Sequence, residues 1–246
     1  MLNEDVMTTA FDHIPQSQRI IVALDCDRPR ALELADALSG AASWVKVGMT
    51  LFYREGPSIV TELQERGLKS FIDLKLHDIP HQVEGAAKAV ALAGADMMTF
   101  HGLGGQRMLA AGQEGIEALG LPEQPITLAV TVLTSMGDDD LAQIGVDAPA
   151  QQEVMRLAGI AREAGLSGVV ASPQEARMLR GLLGPNAAIV TPGVRPAGAD
   201  AGDQTRIATP QKAFADGASH LVIGRPITEA SNPRAAFAAI AASLEG

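Results

Sequence analysis

Residues 69–94 read KSFIDLKLHDIPHQVEGAAKAVALAG. The run Lys69–Leu74 has the length and apolar character of a strand, and Gln82–Ala93 is an amphipathic, Ala-rich stretch that reads as a helix. Gly94 follows, where a left-handed C-cap calls for a residue without a Cβ. The unit is strand, turn, helix and glycine stop, the building block of a parallel sheet.

The unit recurs on both sides. Strands are expected at Arg19–Leu24, Trp44–Val47, Met97–Thr99, Ile126–Val132, Gly168–Ala171, Ala188–Val190 and His220–Ile223. Helices are expected at Pro29–Ser39, Gly56–Glu65, Gly105–Ala118, Gln151–Ala164 and Gln174–Leu182, with Pro226 and Pro233 placed where a last helix starts or bends. Gly67, Gly120, Gly165 and Gly217 repeat the stop signal. Eight alternations with no break in composition predict an α/β fold, one (β/α)8 TIM barrel over residues 19–246 behind an N-terminal tail, residues 1–18. A doubly wound open sheet is the structural alternative. Two acidic or small-residue loops, Met136–Pro149 and Pro196–Thr209, are long enough to read as lids or ligand clamps.

Composition narrows the partners. The 246 residues are 47% hydrophobic and only 3% aromatic, so the core rests on Ala, Val, Leu and Ile. Formal net charge is −10 and no Lys/Arg run occurs, which argues against a nucleic-acid partner but leaves small anions open. A single cysteine, Cys26, excludes an internal disulfide and any multi-cysteine metal site. No stretch reads as a signal peptide or membrane span, so a cytoplasmic protein without membrane contact is expected.

In a parallel barrel the carboxyl ends of the strands open into one pocket. The polar residues expected there are Asp25, Lys46, Asp73, Lys75, Asp78, His101, Thr134, Thr191, Arg195 and Arg225. Strand alternation puts Asp73 and Lys75 on one face, with Leu74 on the other. Carboxylates on both sides favour the charged form of an amine between them. Gly193 with Arg195, and Gly224 with Arg225, follow the seventh and eighth strands, the usual place for a phosphate in this fold. His77, His101 and His220 lack the spacing of a metal triad. Cys26 should point away from the pocket, Trp44 and Phe71 should pack the barrel floor, and Met97 and Met98 should fill the core.

Taken in order, Ala23-Leu-Asp25, Lys46-Val-Gly48, Asp73-Leu-Lys75-Leu-His-Asp78-Ile-Pro80, Leu133-Thr-Ser135, Thr191-Pro-Gly-Val-Arg195, Gly202-Asp-Gln204 and Ile223-Gly-Arg225-Pro226 resemble the orotidine 5′-monophosphate decarboxylase family. The resemblance implies a cofactor-free, metal-free barrel enzyme that converts orotidine 5′-monophosphate to UMP as a homodimer. It assigns Asp25 to the ribose and Lys46, Asp73, Lys75 and Asp78 to an alternating charged tetrad, with Asp78 reaching into the partner's site. Thr134 and Ser135 match the pyrimidine-reading positions. Arg195, Gln204, Gly224 and Arg225 match the phosphate set. One position departs: after Ile79-Pro80 the family commonly has Asn-Thr, and this chain has His81-Gln82, so Gln82 stands where the threonine contacts a neighbouring ribose. Lys75 is the expected proton donor to the carbon that loses CO2.

Three other readings are possible. A Mg²⁺-dependent sugar-phosphate decarboxylase of the same suprafamily would carry a carboxylate where Lys46 stands. A Schiff-base aldolase would need a neutral strand-end lysine, against the push of the flanking carboxylates. A non-catalytic nucleotide sensor would need an output surface that the sequence does not display.

Overall fold

The computed structural model describes residues 9–195 and 208–244. Eight parallel strands form a closed barrel in sequence order, the first pairing with both the second and the eighth. They are β1 (Ile20–Ala23), β2 (Trp44–Gly48), β3 (Lys69–Leu76), β4 (Met97–His101), β5 (Ile126–Val130), β6 (Gly168–Val170), β7 (Ala188–Thr191) and β8 (His220–Ile223). The closure excludes the open doubly wound alternative.

The outer layer holds α1 (Arg28–Leu38), α2 (Met49–Glu55), α3 (Ser58–Gln64), α4 (Pro80–Leu92), α5 (Gly105–Glu117), α6 (Asp138–Gln143), α7 (Ala150–Glu163), α8 (Ala176–Leu183), α9 (Pro210–Ala215), α10 (Arg225–Thr228) and α11 (Pro233–Ala242). Three of these, α2, α6 and α9, fall outside the expected helices, α9 following a Thr209 cap that accepts from the Lys212 amide. Helix α2 leaves β2 directly from Gly48, with no capping side chain to announce it, and stops at Gly56, whose φ is 68°. Helix α6 interrupts the expected Met136–Pro149 loop. The Asp140 carboxylate accepts from the Gly137 amide at 2.9 Å, and three aspartates fill the first turn, where the helix dipole favours negative charge.

The strands are apolar on both faces because both are covered. Ile20, Val22, Val45, Val47, Ile72, Met98 and Phe100 belong to the cluster shared with the helices. Ile21, Ala23, Trp44, Phe71, Met97, Leu128, Ala188, Val190 and Val222 form a second cluster, the barrel interior. Successive residues of one strand thus alternate between clusters, as the pleat requires. Gly168 marks the tightest point of the wall, since a Cβ there would lie 1.8 Å from the Ala188 carbonyl oxygen on β7.

The floor is aromatic. His220 sits edge-on to Phe11, with centroids 5.4 Å apart, and to Trp44 at 5.7 Å. Burial first, then the charges of Arg19 and Lys69, lower the His220 pKa to about 3, so it stays a neutral packing group. Phe11 belongs to the expected N-terminal tail, and the described part of that tail packs against the barrel. Arg19 and Lys69 border this side, Arg19 reaching the Ser219 carbonyl and Lys69 lying over the Trp44 ring. Among the described residues no helix is long and apolar enough to cross a membrane.

Candidate active site

The third strand carries the centre of the site, and it is not a regular strand. Pairing with β4 runs Ile72 to Met98 and then Leu76 to Phe100, so four steps on β3 answer two on β4. Lys75, inside this bulge, has φ 53°, the one non-glycine residue with positive φ among the described residues. Bulges re-aim side chains, and left-handed backbone is costly for a residue with a Cβ. Asp73 and Lys75 both face the cavity, as alternation predicts, with the bulge and the positive φ falling on the same stretch. Leu74 does turn outward into the helix-facing core, as expected.

The outcome is a row of alternating charge. Lys75 Nζ donates to Asp73 Oδ1 at 2.9 Å. Lys46 Nζ, from β2, lies 3.6 Å from Asp73 Oδ2 and donates to Asp25 Oδ1 at 2.9 Å. Lys46 and Asp73 are the most enclosed members, their side chains 11% and 13% exposed against 66% for Asp25. Burial alone would raise the Asp73 pKa, but the charges of Lys46 and Lys75 and hydrogen bonds from Lys75 and Thr99 outweigh it, and the carboxyl sits below its usual range. The Thr99 hydroxyl donates to Asp73 Oδ1 at 3.0 Å.

These groups open into a cavity of about 430 Å³. Asp25, Lys46, Asp73 and Lys75 line it together with Thr134, Gly193, Arg195, Gly224 and Arg225. Val130, Val132, Val170 and Phe71 supply an apolar wall. Gly193 has φ 74°, which a residue with a Cβ rarely adopts. The Arg195 amide donates to the Ala208 carbonyl at 3.0 Å, tying the strand-seven end to the start of α9. The space combines a localised charged row, an apolar slot and two guanidinium groups, a set that suits a flat polar ring carrying a phosphate.

Other expected site residues lie elsewhere. Asp78 is exposed and lines a separate, open depression with His77, Ile79, Pro80, Leu103 and Arg107. Gln82 is exposed on the first turn of α4, and Ser135 is exposed; neither lines the cavity. Gln204, with the rest of 196–207, lies outside the described residues. His101 is half-buried beside the site, its ring stacked on His77 at 5.3 Å; burial, then His77 and Lys75, lower its pKa. Cys26 is partly buried against the outer core, and burial leads the upward shift of its thiol pKa.

Two residues were not anticipated. Glu229, after α10, lines the cavity on the Arg225 side. Thr99 was read only as a strand residue, although a polar side chain in the run Met97–Phe100 is the one sequence signal that could have singled it out.

Similarity to known proteins agrees with this geometry. Residues 18–240 match the model of the Orotidine 5'-phosphate decarboxylase / HUMPS family. An orotidine 5'-phosphate decarboxylase of Moorella thermoacetica is 50% identical over 233 residues, covering 92% of both chains. That of Vibrio atlanticus is 49% identical over 228 residues, covering 92% of this chain and 98% of its own. The crystal structure of orotidine 5'-phosphate decarboxylase from Lactobacillus acidophilus superposes with a TM-score of 0.83 at 38% identity, covering 93% of this chain and 100% of that one. With a closed eight-stranded barrel, a charged row at its mouth and relatives aligned along nearly their whole length, the chain belongs to the orotidine 5'-phosphate decarboxylase / HUMPS family.

Proposed function

We propose that this chain is an orotidine 5'-phosphate decarboxylase, acting in the last step of UMP biosynthesis. The observation that carries the reading is the contact of the Lys75 ammonium with Asp73 at 2.9 Å, inside the same cavity that Arg195 and Arg225 line.

Loss of CO2 from C6 of the orotate ring breaks the C6–carboxylate bond and leaves its electron pair in an sp² orbital that the ring does not delocalise. A preorganised cation beside C6 stabilises that charge. Lys75 then transfers a proton to C6, giving UMP, and regains one from solvent. Asp73 anchors the Lys75 ammonium, and its negative charge stands near the departing carboxylate. Lys46 couples this pair to Asp25, the residue for the ribose hydroxyls. Thr134, with Ser135 beside it, reads the pyrimidine. Arg195, Gly224 and Arg225 hold the phosphate, joined by Gln204 from the segment 196–207.

Asp78 completes the charged row from a second copy of the chain, and Gln82 takes the neighbouring ribose contact. Their exposure, beside Ile79 at 63% and Leu103 at 38%, supports placing them on a face that a partner covers. The enzyme on this reading is a cytoplasmic homodimer that uses no cofactor. The Lys46 ammonium supports the metal-free reading over a Mg²⁺-dependent one, because it stands between the Asp25 and Asp73 carboxylates that a cation would otherwise bridge. Orotidine 5'-monophosphate added to chelator-treated protein should lose its orotate absorbance and yield UMP. Turnover only after Mg²⁺ is restored, or only with a sugar phosphate, would transfer the chain to the other branch of its family.

A further inference from the structure

Thr99 lies in the middle of β4, fully buried and absent from the cavity lining. Its Oγ1 accepts a hydrogen bond from the Lys75 backbone amide at 2.9 Å and donates one to Asp73 Oδ1 at 3.0 Å. The directions are forced. An amide only donates, a carboxylate only accepts, and a hydroxyl carries one proton. Asp73 Oδ1 also receives the Lys75 ammonium at 2.9 Å. A closed ring therefore runs from the Lys75 amide through Thr99 and Asp73 back to the Lys75 side chain.

The ring meets two needs that the bulge creates. Displacing Lys75 from the β3–β4 pairing leaves its amide without a strand partner, and a buried amide requires one. The left-handed backbone at Lys75 persists only where its surroundings fix it. The neighbours of Thr99 along the strand, Met98 and Phe100, have no side-chain oxygen to offer. One hydroxyl thus ties the backbone that launches the lysine to the carboxylate that anchors its tip.

We propose that Thr99 is a positioning residue, whose single oxygen fixes the reach and direction of the Lys75 ammonium toward the reacting carbon. The proposal rests on the reading of Lys75 as proton donor. Thr99→Val keeps the shape and removes the hydroxyl, whereas Thr99→Ser keeps the hydroxyl. In Thr99→Val, kcat should fall roughly 10- to 100-fold, the scale of a catalytic group displaced by about 1 Å. The KM for orotidine 5'-monophosphate and the Kd for UMP should change less than about twofold, because phosphate and pyrimidine contacts are untouched. The acid limb of the pH profile should move to higher pH, since Asp73 loses a donor to its charged form. Thr99→Ser should regain kcat to within about threefold of the parent.

An unchanged kcat and pH profile in Thr99→Val would overturn the proposal. So would equal impairment of Thr99→Ser, or a parallel loss of UMP affinity. Should Thr99→Val fail to fold, Thr99→Ala is measured against Thr99→Ser with the same criteria. Lys75→Ala, assayed alongside, separates the two levels: decarboxylation surviving there removes the functional reading itself. An inactive Lys75→Ala beside an unimpaired Thr99→Val removes only the role of Thr99.

Discussion

Asp73 and Lys75 meet at 2.9 Å across a strand that is bulged between them, with Lys75 at φ 53°. The carboxylate is the hub of this arrangement, because it also faces Lys46 at 3.6 Å and accepts from Thr99. Its pKa is the net of opposing effects: burial raises it, and Lys46, Lys75 and Thr99 more than offset that. A depressed folded pKa means that the charge, and the stability tied to it, hold above the ordinary carboxylate range and are lost as pH falls through the depressed value. Asp73→Asn should lower kcat by about 10²- to 10³-fold, the scale for a preorganised electrostatic group. It should also erase the acid-side loss of stability that Asp73 contributes. The checks are kcat against pH and urea unfolding against pH. Parent-like kcat in Asp73→Asn would remove the hub.

Arg225 lines the same cavity, and its proposed role is to hold the phosphate. Arg225→Ala should lower kcat/KM by about 10- to 100-fold, the scale of one lost charge-assisted hydrogen bond. Steady-state kinetics measure it. Unchanged kcat/KM would count against a phosphate clamp at this position.

The proposed crossing of Asp78 into a partner's site has a mixing test. Lys75→Ala and Asp78→Ala homodimers should each be inactive. A mixed dimer would hold one doubly impaired site and one intact site, so random exchange should restore about a quarter of parental activity, half the dimers being mixed and half their sites intact. Two inactive variants that stay inactive after exchange would keep Asp78 out of the site.

Below the barrel, His220 should govern acid stability. Its folded pKa of about 3 lies below the unfolded value of 6.5, so between these values the unfolded chain binds the extra proton. Stability should therefore decline as pH falls through that window, by up to about 1.4 kcal/mol per pH unit from this group. His220→Phe, which keeps a ring against Phe11 and Trp44, should flatten the decline. Urea midpoints measured from pH 7 to pH 3 decide it, and an unaltered slope would remove His220 from that role.

The fold was legible because its determinants are local. Parallel strands covered on both faces must be short apolar runs, and all eight strands lie where such runs occur, with ends shifted by no more than two residues. Asp25, Lys46, Asp73, Lys75, Arg195 and Arg225 were legible as polar residues at strand ends, and they line one cavity. The bulge at Lys75 was not, because it is a matter of pairing with β4, and no signal in β3 itself records the register of its neighbour. Thr99 stayed hidden for the same reason: its meaning lies in two partners more than twenty positions away. Helices α2, α6 and α9 are seven residues or shorter, too brief for a helical period to stand out in the sequence. Asp78 is expected at the pocket from its place after β3, yet it is exposed and outside the cavity lining; Gln82 and Ser135, which rest on resemblance alone, are exposed as well.

The most direct measurement is a single-turnover assay of Lys75→Ala with orotidine 5'-monophosphate, on protein shown by melting and by UMP binding to be folded and ligand-competent. No UMP should form on the timescale of parental turnover, even with every site loaded. Decarboxylation at a rate within about tenfold of the parent would show that the proton and the electrostatic stabilisation come from elsewhere, and would contradict the account at its centre.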